Sequence, residues 1–111
     1  MTVQSAIFLL VAIVAEVAAT TALRFSEGFS RLVPSAVVVA GYGASFYFLA
    51  QGLKLGLHLG IAYAIWAGLG TVLIAGVGVL LFQEQLTPGV MIGIALVIVG
   101  VALINLFSYE H

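Results

Sequence analysis

Ala6-Ile7-Phe8-Leu9-Leu10-Val11-Ala12-Ile13-Val14-Ala15-Glu16-Val17-Ala18-Ala19-Thr20-Thr21-Ala22-Leu23 is an apolar run with a single charge, Glu16, near its middle. A run of this length and character reads as a membrane-spanning helix. Glu16 then lies deep in hydrocarbon, where an ionisable side chain costs at least ~2.5–3.5 kcal/mol. Such a residue faces a bundle interior or a wet cavity, and it is a functional-site candidate by default. On a helix, Ala12, Glu16, Ala19, Thr20 and Leu23 share a face by i, i+3, i+4 spacing. Apart from Leu23 that face is small or polar, which leaves room beside the carboxyl group for a ligand or a neighbouring helix. The competing reading is a protonated glutamic acid hydrogen-bonded inside a packed bundle.

The composition of the whole chain agrees with a membrane solvent. Of 111 residues, 64% are hydrophobic and 6% charged, against roughly 25% charged in soluble domains. The mean hydropathy is +1.32. Four stretches are long and apolar enough to span: about 5–23, 33–53, 59–82 and 88–107. The breaks between them are short: Arg24–Arg31, a segment centred on Lys54–His58, and Gln83–Thr87. Thr87-Pro88 reads as an N-cap followed by proline at the first helical position. The expected fold is a single all-α integral membrane domain of four transmembrane helices. The segment Met1–Ser5 lacks a basic n-region and Glu16 interrupts any h-region, so a cleaved signal peptide is not expected. A net charge of −1 without a basic patch gives no case for nucleic acid. His58 and His111 are isolated, so no metal site is expected, and no nucleophile–base pair or phosphate loop suggests an enzyme or a cofactor.

Orientation is weakly encoded. Arg24 and Arg31 mark the side of the first and third loops, and Lys54 marks the other. Two against one is almost no bias under the positive-inside rule, so insertion in both orientations is expected.

The other spans carry the remaining signals. Tyr42, Ser45, Phe46 and Leu49 fall at i, i+3, i+4, i+7 on one face of the second span, and Glu16 is a candidate partner for its two hydroxyls. In the third span Tyr63, Trp66 and Gly70 share a face. An interfacial aromatic belt competes as the reading of Tyr63, whereas Trp66 is about two turns inside the span. Gly68 and Gly70 loosen the helix centre and mark a bend or a close helix contact. In the fourth span Gly93 and Gly100 are one heptad apart and offer a smooth association surface.

Together these stretches resemble the small multidrug resistance family of bacterial transporters. The matching segments run in order through nearly the whole chain: Ala15-Glu16-Val17 with Thr20-Thr21, Phe25-Ser26-Glu27-Gly28-Phe29-Ser30-Arg31-Leu32 with Pro34-Ser35, Ala44-Ser45-Phe46, Leu49-Ala50-Gln51, Gly60-Ile61-Ala62-Tyr63-Ala64-Ile65-Trp66, and the Gly93/Gly100 pair. The resemblance implies an antiparallel homodimer in the bacterial inner membrane that exchanges protons for cationic, often aromatic, compounds such as quaternary ammonium ions. It places the essential carboxylate on Glu16 and the pocket aromatics on Tyr42, Tyr63 and Trp66, with Thr20, Ser45, Phe46 and Ala12 nearby. Guanidinium exporters of the family tend to carry Trp three residues after the glutamate. Ala19 holds that position here, so the resemblance favours the polyaromatic-cation subtype, with guanidinium export as the alternative. The second loop departs from the family. It has Gly56-Leu57-His58-Leu59 where a proline is usual, and is a residue longer.

Residue chemistry and resemblance point the same way. A four-helix chain without an internal repeat obtains two-sided access by pairing with an oppositely inserted copy. Two Glu16 side chains would then flank one cavity, with aromatic rings able to hold a cation by cation–π contact worth up to ~2 kcal/mol. A proton-conducting subunit of a larger assembly also uses a membrane carboxylate, but it has no need of an aromatic cage. A purely structural subunit leaves the ionisable Glu16 unexplained.

Overall fold

The computed structural model describes residues 2–107; His111 lies outside them. It contains four helices in chain order: α1 (Val3–Phe25), α2 (Leu32–Lys54), α3 (Leu59–Phe82) and α4 (Pro88–Phe107). All four are long and apolar enough to cross a membrane. The first two run one or two residues past the expected spans at each end. The Thr2 hydroxyl accepts from the Ser5 N–H at 3.1 Å and so caps α1. At its other end α1 continues through Arg24 and Phe25 to a cap at Ser26.

The first turn is organised by Ser26, which is fully buried. Its hydroxyl donates to the Leu23 carbonyl (2.7 Å) and accepts from the Phe29 N–H (3.1 Å). Its carbonyl accepts from the N–H groups of Ser30 (2.9 Å) and Arg31 (3.1 Å). Glu27, Gly28 and Phe29 all adopt left-handed conformations, with φ of 49°, 74° and 67°. Only glycine enters that region without cost, so the hydrogen bonds to Ser26 hold the other two there. Pro34 falls in the first turn of α2, where N–H groups have no intrahelical acceptor to lose.

α1 and α2, with the chain to Leu57, form one compact unit. Leu9, Ala12, Ile13, Ala19, Val38 and Leu57 are its buried hydrophobic residues. Small side chains set the helix separation. A Cβ added at Gly41 would lie 2.7 Å from Ala19 Cβ and 3.3 Å from the Ala15 carbonyl oxygen, so the glycine is what lets α2 sit this close. Phe8 and Phe48 stack with ring centroids 6.0 Å apart. The second loop closes against the same unit. Gly56 turns the chain at φ +105°. The Leu57 N–H then donates to the Gly52 carbonyl at 3.2 Å, and its buried side chain fills the notch left by Gly52.

α3 and α4 form the second unit. Gly68 faces Val97 and Val101 of α4, and a Cβ at Gly68 would collide with Val101. α3 is helical through Gly68 and Gly70, and Gly68 is where it comes close to α4. The Thr71 hydroxyl bonds back to the Ala67 carbonyl at 2.6 Å, a contact that promotes gentle helix curvature. α3 ends at Gln83 in a left-handed cap, and Glu84 folds its carboxylate over Gly78. Thr87 caps α4 through the Val90 N–H at 3.2 Å. α4 buries no residue. No described side chain approaches within 4 Å of where a Cβ would stand at Gly93 or Gly100.

Candidate functional site

Glu16 sits half-buried in the middle of α1. One turn on, the Thr20 hydroxyl donates to Glu16 Oε2 at 2.5 Å. From α2 the Tyr42 hydroxyl meets the same Thr20 oxygen at 2.7 Å. These three side chains form a continuous polar chain across the α1–α2 pair. Its geometry follows from sequence spacing: i and i+4 place Thr20 over Glu16, and the close approach at Gly41 brings its neighbour Tyr42 within reach.

Ser45 makes a different contact. Its hydroxyl donates to the Ala12 carbonyl at 2.8 Å, and both residues are fully buried. They clamp α1 to α2. Of the two hydroxyls considered as partners for Glu16, Tyr42 reaches it through Thr20 and Ser45 does not. Phe46, on the same helix, is 63% exposed.

Tyr63 and Trp66 lie one turn apart on α3, in the other unit, and their environments differ. Tyr63 is 64% exposed and Trp66 8%. Trp66 is therefore a buried ring and Tyr63 an outward one in a single chain. Gly70, on the same helix, is buried. A shallow apolar depression on α1, lined by Leu10, Val11, Val14 and Ala15, excludes Glu16. Among the described residues no group of three His, Cys, Asp or Glu could hold a metal ion.

The sequence reading did not foresee Thr20 as the link between Glu16 and Tyr42. The signal was present in the i, i+4 spacing, but the register between α1 and α2 is set by Gly41 against Ala15 and Ala19, and no single helical face shows it.

The chain matches the family model described as Small Multidrug Resistance protein over residues 4–97. Among curated proteins it is similar to the quaternary ammonium compound-resistance protein QacF of Klebsiella aerogenes, with 54% identity over 92% of each chain. It is 48% identical to a putative ethidium bromide resistance protein of Pseudomonas aeruginosa, over 94% of this chain and 90% of that one. To the quaternary ammonium compound-resistance protein QacC of Staphylococcus aureus it is 42% identical over 95% and 97% of the two chains.

Proposed function

The chain belongs to the small multidrug resistance family, and from that premise we propose that it is a proton-coupled antiporter exporting lipophilic, often aromatic, cations such as quaternary ammonium compounds. The observation that carries this reading is a carboxyl group half-buried in the middle of an apolar spanning helix and bonded to a hydroxyl chain. An ionised Glu16 attracts a cation, and a protonated one does not. Competition of proton and cation for the same carboxylate therefore suffices to couple inward proton flow to outward drug flow. Tyr63, Trp66 and Tyr42 supply the cation–π surface, and adaptable aromatic packing with few fixed hydrogen bonds supports broad specificity. The names of relatives that resist quaternary ammonium compounds and ethidium bromide favour aromatic and alkylammonium cations over guanidinium.

The functional unit in this reading is an antiparallel homodimer in the bacterial inner membrane. The near-balanced loop charges, the lack of an internal repeat and the uncovered Gly93/Gly100 face of α4 support it. In the dimer two Glu16 carboxyls flank one cavity. Ser45 and Ala12 underlie it as the clamp that fixes α2 against α1, while Phe46 projects from the α2 face beyond them.

Proteoliposomes with an acidic interior test the function. Outward proton flow should drive uptake of tetraphenylphosphonium and ethidium, and dissipating the gradient should stop it. Uptake indifferent to the gradient would remove the antiport reading, and a preference for guanidinium would shift the assignment to the guanidinium subtype.

A further inference from the structure

Thr20 holds Glu16 and Tyr42 at once. Its Oγ1 is 2.5 Å from Glu16 Oε2 and 2.7 Å from the Tyr42 hydroxyl oxygen. A threonine hydroxyl and a phenol each have one proton to donate and lone pairs to accept with, whereas an ionised carboxylate only accepts. Counting protons fixes the direction of the chain. With Glu16 ionised, Thr20 spends its proton on the carboxylate, so Tyr42 must donate to Thr20. With Glu16 protonated, the carboxyl O–H can donate to Thr20, which then gives its own proton to the Tyr42 oxygen. The Tyr42 O–H is thereby released to point away from Thr20. Two hydroxyls reverse, and no heavy atom moves.

We propose that Thr20 is a positioning residue that converts the protonation state of Glu16 into the direction of the Tyr42 O–H. The inference rests on the reading of Glu16 as the shared proton and cation site. Its consequence is a second discriminating group. Beside a charged Glu16 the phenol turns its proton inward and leaves lone pairs to face a cation. Beside a neutral Glu16 it presents the positive end of its O–H dipole, which repels one. Both hydroxyls thus reinforce binding in the ionised state and release in the protonated state. The other charges of the α1–α2 unit lie at its ends: Arg24, Glu27 and Arg31 around the first turn and Lys54 at the end of α2. Arg24 is about 12 Å further along α1 from Glu16 at helical rise. Thr20, with Tyr42 behind it, is the route by which α2 reaches Oε2.

The test uses the full-length protein in detergent micelles, with tyrosine labelled at Cζ and glutamate at Cδ for carbon NMR, titrated with pH in the absence of any cation. In the wild type and in Thr20→Ser, the Tyr42 resonance should move over the same pH range as that of Glu16. In Thr20→Val, Glu16 should still titrate while Tyr42 stays still. A silent Tyr42 in the wild type, or a Tyr42 that moves equally in Thr20→Val, overturns the proposal. Tetraphenylphosphonium affinity at high and low pH gives the second readout. Thr20→Val and Tyr42→Phe should each lower the ratio of the two affinities about five-fold. The double variant should lower it no further than Thr20→Val alone, and independent multiplication of the two effects would also overturn the relay. Unchanged pH-dependent binding by Glu16→Gln would remove the functional reading instead, and the Tyr42 resonance would still decide the relay.

Discussion

Ser45 and Tyr42 stand one turn apart on α2, and the partner each one finds, a backbone carbonyl or the Thr20 hydroxyl, determines its role. Ser45 meets a buried carbonyl, so Ser45→Ala should cost stability, about 0.5–1.5 kcal/mol, and any loss of cation affinity beside it would keep Ser45 in the pocket, as the resemblance implies. Thermal unfolding in detergent alongside a cation titration separates the two effects. Glu16→Gln should abolish both pH-dependent binding and coupled transport, because the amide cannot exchange a proton for a cation. Glu16→Asp should retain weak transport with an altered pH profile, measured in the same vesicles. Trp66→Ala should weaken binding of an aromatic quaternary ammonium about ten-fold or more, the loss of a desolvated cation–π contact, without unfolding the protein. Unchanged affinity would assign the ring to packing alone. Glu16 is legible from sequence because its cost in hydrocarbon is large and local. The Thr20–Tyr42 contact is not, since it depends on the separation and rotation of two helices.

At the scale of elements, the glycines divide by what surrounds them. Gly41→Ala would force a methyl to 2.7 Å from Ala19 Cβ. It should destabilise the α1–α2 unit by about 1–3 kcal/mol, read as a lower unfolding temperature, and should also break the Tyr42 contact. Gly52→Ala clashes with the movable end of Leu57 and meets Phe8 at ordinary contact distance, so it should be milder. A Cβ at Gly93 meets nothing among the described residues, so with Gly93→Leu the monomer should fold while dimer recovery on size-exclusion chromatography falls. A dimer indifferent to that change would move the interface to another helix. Spans and their ends were largely legible, because apolar length and Thr87-Pro88 mark them directly. Gly41 and Gly52 were not singled out, since a glycine within an apolar span reads the same whether it faces lipid, a helix or a loop. The second loop was also opaque until Leu57 was seen to fill the Gly52 notch.

For the molecule as a whole, the proposed antiparallel pair leans on a near balance of loop charge, Arg24 and Arg31 against Lys54. Adding lysines to one set of loops should lock one orientation and inactivate it, and mixing with an oppositely locked version should restore transport. Terminal-tag accessibility checks the orientation of each. A single orientation in active wild type would exclude the antiparallel pair.

Ser26 carries a consequence for biosynthesis. Either orientation requires one hairpin tip or the other to be threaded through the bilayer while the chain is being made, and bare N–H and C=O groups are costly in hydrocarbon. The α1–α2 tip brings its own partners. Ser26 satisfies Phe29, Ser30 and Arg31 N–H groups, and the Glu27–Arg31 pair at 3.7 Å offsets two of its charges. In the orientation that carries this tip across, it would travel as a pre-wrapped parcel. If those bonds form before the tip crosses, Ser26→Ala should slow passage of this hairpin through the insertion machinery, measured as delayed protection of a loop-engineered glycosylation or cysteine tag, while the mature helices remain those of the wild type.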